Sequence, residues 1–224
     1  MVVMGALIFG AILVGVLNAL IGGGEWTFGW SDYHYDDSQY TVGDGTIFTR
    51  DLTEVSVDWI DGTVHIVVCQ DDYPSVTESA DENLTDGSRM RWYVSEDGRS
   101  LSIRYRKSSS FFGRSENKRK DLILRIPEKM MPQLTKIDVN VVSSQLTLEG
   151  VEVPSLTVKS KSGDVSILLP EDADFSLTSK MAGDRTPTID FAVVQKDDVY
   201  VCGEGSAHIN VEVGKGSVNV KKMK

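Results

Sequence analysis

Three histidines and two cysteines are the side chains best suited to metal or nucleophilic chemistry here, and their spacing supports neither. His34, His65 and His208 each stand alone, with no second histidine two or four positions on, so the ligand spacing of a zinc site is missing. His65 lies between Val64 and Ile66, and His208 directly precedes Ile209, which puts both on the solvent phase of alternating strands. Cys69 and Cys202 each close an alternating run on its outward phase. In an oxidising exterior they could join, and a loop that long gains up to about 4–5 kcal/mol. Two separate thiols are the simpler reading, because sequence cannot set the Cα approach that pairing needs. Acidic pairs recur at Asp36-Asp37, Asp71-Asp72, Glu171-Asp172 and Asp197-Asp198, without the glycine-aspartate repeat of a β-roll or the loop of an EF-hand. Solvated turns account for them more simply than paired glycosidase carboxylates. Cys-x-x-Cys, nucleophile-elbow and phosphate-loop motifs are missing too. No catalytic, cofactor-binding or metal-ligating residue is therefore assigned, no cofactor is expected, and the chain does not read as an enzyme.

One basic stretch remains. Lys107, Arg114, Lys118, Arg119 and Lys120 surround Ser108-Ser109-Ser110 and Phe111-Phe112. As a loop between strands it could meet anionic headgroups or wall polymers by charge, with Phe111 and Phe112 inserting. The competing reading is a solvated loop, but paired exposed aromatics make this the best candidate for a contact surface.

The elements that would position such a loop begin with an apolar segment. Val2–Ile21 is twenty residues long, with Asn18 its only strongly polar side chain, and as a helix it would span the hydrocarbon core of a bilayer. Gly22, Gly23 and Gly24 end it, and Trp26, Phe28, Trp30, Tyr33 and Tyr35 suit the headgroup level. A cleaved signal would be shorter, with a basic start and a small-x-small site, so a permanent single-pass anchor is favoured. Acidic residues follow the segment, and the first Lys or Arg is Arg50, so nothing basic holds the body inside. The expected organisation is a transmembrane anchor over 1–24, an aromatic and acidic linker over 25–51, and an extracytoplasmic domain over 52–224 on the cell membrane. The net charge of −10 excludes a nucleic-acid binder, which needs clustered Lys and Arg.

Within that domain, apolar and polar residues alternate in short runs, the period of half-buried strands. One pattern recurs: apolar-x-apolar, six residues, apolar-x-apolar, with a small residue two places before the third apolar position. Val55, Val57, Gly62, Val64 and Ile66 meet it, as do Ile137, Val139, Ser144, Leu146 and Leu148. Leu156, Val158, Gly163, Val165 and Ile167 form a third copy, and Ile209, Val211, Gly216, Val218 and Val220 a last one. Phe175 and Leu177 begin a decayed copy with Ala182 at the small position. Starts at Ile137, Leu156 and Phe175 are 19 residues apart, and an equal spacing favours a β-solenoid over a meander of hairpins. Arg91–Val94 and Leu101–Tyr105, around Asp97-Gly98, read as a hairpin inserted between the first copy and the later stack, and Asp121–Ile126 as a strand stopped by Pro127.

The membrane segment, the Trp59-Ile60-Asp61-Gly62-x-Val64 stretch, and Ser162-Gly163-Asp164-Val165 followed by Pro170 together resemble the bacterial putative-adhesin family with β-strand repeats. The resemblance covers roughly Leu52 to Val220. It implies a right-handed parallel β-solenoid displayed outside the membrane in a cell-envelope protein, and it carries no catalytic residues. The function expected is binding or adhesion at the envelope, with wall polymer or an envelope protein as partner. Two other readings stand behind it: an envelope-stress sensing accessory protein, and a carbohydrate-active β-helix enzyme. Departures at Ser144 and after Phe175 put the regularity of those coils in question.

Overall fold

Alternation of inward apolar and outward polar side chains builds an all-β chain in the computed structural model, which describes residues 38–106, 108–109, 115–116 and 118–223. In chain order the strands are β1 (Thr41–Val42), β2 (Gly45–Thr46), β3 (Glu54–Cys69), β4 (Ser75–Ala80), β5 (Arg91–Val94) and β6 (Ser100–Arg104). Then come β7 (Ser108–Ser109), β8 (Ser115–Glu116), β9 (Lys120–Pro127), β10 (Lys136–Glu149), β11 (Ser155–Ser162) and β12 (Val165–Leu169). The last six are β13 (Phe175–Met181), β14 (Thr188–Ile189), β15 (Val194–Lys196), β16 (Val199–Cys202), β17 (Ala207–Lys215) and β18 (Val218–Lys222). One 3-10 turn, Glu128–Gln133, joins β9 to β10. The apolar segment Val2–Ile21 and the aromatic residues after it lie outside the described residues. Among those described, no helix is long and apolar enough to cross a membrane.

Two runs of parallel pairing carry the fold. In one, β6, the first half of β3, the first half of β10, β11, β17 and β13 lie side by side. In the other, β9, the second halves of β3 and β10, then β12, β18 and β14 do the same. Parallel neighbours rule out the meander and fit a β-solenoid. Equivalent apolar residues meet across the coils: Val55, Ile137, Leu156 and Ile209 form one inward row, and Val64, Leu146, Val165 and Val218 another. None of these eight is more than 4% exposed, and each contributes about 1.5–3 kcal/mol of transfer free energy.

The small residue of the repeat sits where one coil bends against the next. Gly163 has φ +129°, and a Cβ there would lie 2.0 Å from the Ser144 carbonyl oxygen. At Gly62, with φ +113°, the same test meets the Lys120 carbonyl at 1.9 Å. Ser144 takes this place in β10 and indeed turns differently: among the described non-glycine residues only Asp197 has positive φ. Its hydroxyl is buried without a hydrogen-bond partner.

The stack is not wound in chain order, and two expectations are corrected. The β5–β6 hairpin forms around Gly98, but it is no insertion: β6 and β9 make the first coil, placed outside the Glu54–Cys69 coil. Leu101 and Ile103 extend the Val55 and Val57 rows, which is why β6 pairs there. The copy after Phe175 does not stack on the Leu156 copy at the 19-residue spacing. The C-terminal strands β17 and β18 lie between them, with Leu177 rather than Phe175 opposite Ile209. The corners differ as well. At the bend after β13 there is no glycine pressed against the neighbouring coil; Arg185 instead donates to the Gly214 carbonyl at 2.9 Å and to the Gly216 carbonyl, closing the edge of the stack. Antiparallel strands cover the ends, β5 and β1 or β4 and β2 on one side and β16 and β15 on the other, which blunts open edges.

Two aspartates hold the intercalated C-terminal coil. Asp164 Oδ1 accepts from the Ser217 amide at 2.7 Å and its hydroxyl at 2.8 Å. Asp174 Oδ1 accepts from the Gly205 and Ser206 amides at 2.5 and 3.1 Å. The Ser217 bonds hold the Asp164 carboxyl below its ordinary value, and the Ser206 amide bond leads the same effect at Asp174. A carboxyl whose folded pKa is depressed stabilises the fold above its unfolded pKa and loses that contribution as pH falls through the folded value. Amides of β17 and β18 should therefore lose hydrogen-exchange protection below about pH 4, ahead of those in β3 and β10. Asp164→Ala should lessen the response; simultaneous loss of protection across all coils would assign it to other carboxylates.

Candidate functional site

The chain leaves the first coil at the end of β6, runs out as β7, returns as β8 paired antiparallel to it, and re-enters the coil as β9. This arm interrupts the stack beside the Gly62 bend, and its root is built from buried side chains. Lys120 has no exposed surface. Its Nζ donates to Glu78 Oε1 at 3.0 Å, to the Ser88 carbonyl at 2.5 Å and to the Arg106 carbonyl at 2.8 Å. The ammonium lies 4.1 Å from the Tyr105 ring centroid and 5.9 Å from that of Trp59. The rings meet edge to face at 5.3 Å, and Trp59 Nε1 donates to the Lys120 carbonyl at 2.9 Å. Tyr105 donates its hydroxyl to the Lys118 carbonyl at 2.6 Å, closing the arm's two ends together.

Electrostatics at the root follow from burial. Desolvation pushes the Lys120 ammonium below its ordinary pKa, and the Glu78 carboxylate opposes that shift. Burial, with the Asp61 charge second, drives the Tyr105 phenol far above its usual value. Glu78 is itself fixed by the Met90 amide, which donates to its Oε2 at 2.8 Å.

Lys120 is consequently not a contact residue. It shares the inward phase of Leu122, Leu124 and Ile126, and that parity could have shown it. Lys118 is half-buried and pairs with Glu82 at 2.6 Å, which lowers the Glu82 carboxyl. Arg119 is exposed and borders a shallow groove of about 230 Å³ over the bend, with Asp61, Gln145 and Ser162. Lys107, Phe111, Phe112 and Arg114 lie outside the described residues. Glu78, Trp59 and Tyr105 were not among the candidates, although a tryptophan three residues before a corner glycine is a signal of packing at that corner.

His34, Asp36 and Asp37 lie outside the described residues, and the other candidates lie on outward faces. His65 Nε2 is 3.0 Å from Glu149 Oε2, and His208 Nδ1 is 2.8 Å from the Ser176 hydroxyl. Cys69 and Cys202 are both free thiols, at the end of β3 and in the covering strand β16. Asp72 pairs with Lys129, and Lys222 donates to Glu171 at 3.2 Å. Across one outward row Arg104, Asp58, Asn140, Lys159, Glu212 and Lys180 follow in register; Arg104 pairs with Asp58, which accepts from Asn140 Nδ2 at 2.8 Å. Opposite charges thus alternate along the stack instead of converging on a cleft. Among the described residues no group of three or more His, Cys, Asp or Glu side chains could hold a metal ion.

The Toastrack DUF4097 family model matches residues 52–183, most of the stacked domain. The fold is similar to the crystal structure of a putative cell adhesion protein from Clostridium sporogenes, with TM-score 0.53 and 11% identity over 82% of this chain and 100% of that one. A putative adhesin from Bacteroides fragilis aligns over 83% of this chain and 98% of that chain, with 11% identity and TM-score 0.25. No curated protein matches the chain.

Proposed function

We infer the function from one premise: this chain belongs to the Toastrack DUF4097 family. We propose that it is a non-catalytic binding or adhesion protein of the cell envelope. The apolar Val2–Ile21 segment anchors it as a single membrane helix, the right-handed solenoid body lies on the outer side, and the arm between β6 and β9 makes the contact. The putative cell adhesion protein of C. sporogenes supports the fold side of this reading. What carries it is the root of the arm, where a fully buried lysine is held by a carboxylate and two carbonyls. Fixing the arm's two ends in advance lowers the ordering cost of binding. Lys107, Arg114 and Arg119 supply attraction to an anionic polymer or headgroup, and Phe111 and Phe112 supply the apolar contact.

Because the whole chain carries −10, only a local patch can hold an anionic surface. Such attachment weakens with salt, as the Debye length falls from about 10 Å at 0.1 M to 3 Å at 1 M. The body from Glu25 onward should co-sediment with anionic liposomes or wall polymer at low salt and release at high salt. Phe111→Ser with Phe112→Ser should reduce binding and leave the melting temperature unchanged. Binding that survives this double substitution, and also neutralisation of Lys107, Arg114 and Arg119, would remove the arm from the contact. Protease added to intact, wall-stripped cells should digest the body; protection until the membrane is opened would refute the outward placement.

A further inference from the structure

Phe48 is 82% exposed, the most exposed large hydrophobic side chain among the described residues. It is nevertheless held in place. Ile47 and Leu52 on either side are 1% exposed and pin the segment to the body. The Phe48 ring stands edge-on to Tyr73, with centroids 5.5 Å apart and an interplanar angle of 64°. Arg50 lies over the Tyr73 ring at 5.0 Å and donates from Nη2 to the Tyr73 hydroxyl at 3.1 Å. Gln133 donates its side-chain amide to the Arg50 carbonyl. That glutamine also lines an open polar basin of about 500 Å³ with Asp51, Thr53, Asp97 and Arg99. A short run of contacts, Phe48 to Tyr73, Tyr73 to Arg50 and Arg50 to Gln133, thus links an exposed aromatic ring to a basin of carboxylate, guanidinium and amide groups.

The chemistry selects the partner. The exposed residues that flank Phe48 and Tyr73 in sequence are polar or charged: Thr46, Arg50, Asp51, Gln70, Asp71 and Asp72. One ring in a charged setting falls far short of the roughly 800 Å² per partner that a protein interface buries. Asp51, Asp71 and Asp72 outnumber the two cations beside them, Arg50 and Lys129, so the local charge does not favour anionic headgroups or phosphate. A neutral sugar meets every condition, since the C–H face of a pyranose covers one aromatic ring while its hydroxyls pair with planar carboxylate, guanidinium and amide groups. We propose that Phe48, with the Asp51–Asp97–Arg99–Gln133 basin, binds a neutral, hydroxyl-rich glycan chain. The platform lies beyond the two ends of β3, whereas the arm stands at its central bend; seven or eight strand residues separate them, about 25 Å. This site is therefore independent of the arm, although it extends the same reading of envelope binding.

Chitohexaose and maltohexaose are suitable probes, titrated into the full chain in sugar-free zwitterionic micelles and followed by calorimetry and saturation-transfer NMR. At least one should bind, and its affinity should change little between 0.1 and 1 M salt, since no net charge is being screened. Phe48→Ala should weaken binding by about tenfold, while Phe48→Trp retains it. The melting temperature should stay the same in both, because the ring is outside the core. Arm variants should leave sugar binding unchanged, so failure at the arm and failure here are separable. The proposal is overturned if neither oligosaccharide binds, if Phe48→Ala binds as well as the parent chain, or if that substitution instead abolishes capture by anionic liposomes.

Discussion

Replacing Lys120 with alanine is expected to destabilise the domain by about 3–5 kcal/mol, because it leaves a buried carboxylate without its counter-ion. The Lys120 side chain is 0% exposed and that of Glu78 is 1% exposed. Removing the ammonium also strips a donor from the Ser88 and Arg106 carbonyls, and an unmet buried acceptor costs about 1–3 kcal/mol. The ion pair itself need not be strongly stabilising, since desolvation opposes the Coulombic gain. A cycle separates the two effects. Lys120→Met should cost several kcal/mol in urea titration, and adding Glu78→Gln should recover part of it, because the glutamine stays neutral and can still accept from the Met90 amide. Faster exchange of the β7 and β8 amides should accompany the loss, since the lysine ties Arg106 at the arm's base. A variant within 0.5 kcal/mol of the parent chain would mean the lysine is solvated and the root is not as described.

The same lysine marks where reading the sequence succeeds and where it misleads. The rows through Val55, Ile137, Leu156 and Val64, Leu146, Val165 are legible because period-two burial and a repeated spacing are both written in single residues. Lys120 obeys that period, but its charge and four basic neighbours drew it to the surface reading. Only the partner, Glu78, forty-two residues earlier, makes a buried lysine affordable, and that contact is set by the antiparallel pairing of β4 with β9. Coil order was hidden for a different reason. Every coil offers the same inward pattern, so the pattern cannot say which coil lies beside which. The 19-residue interval from Leu156 to Phe175 points to adjacency, yet the coil beside Leu156 is the C-terminal one, whose Gly216 bend packs directly on the Gly163 bend. Phe48 gives no signal in the sequence, because a lone phenylalanine in a linker has no period; its contact is with Tyr73, which Arg50 in turn holds.

Gly163→Ala is expected to cost at least about 3 kcal/mol, against about 1–2 kcal/mol for Gly183→Ala. Both glycines have positive φ, +129° and +76°, so both substitutions strain the backbone. They differ in what the new Cβ meets. At Gly183 nothing lies within 4 Å, whereas at Gly163 the Ser144 carbonyl oxygen is 2.0 Å away. That oxygen belongs to the backbone of the adjacent coil and cannot swing aside as a side-chain end could. Relief requires the bend to separate from Ser144, and the movement reaches the C-terminal coil as well, because the Gly163 amide donates to the Lys215 carbonyl at 2.8 Å and Asp164 holds Ser217. Hydrogen exchange should therefore rise first in β11, β12, β17 and β18, while β3 and β6 keep their protection. Equal costs at the two glycines would show that Gly163 serves only its own turn. Unequal costs with the exchange confined to those four strands would locate the effect in the contact between coils, which is the one interaction a solenoid bend makes and a hairpin turn does not.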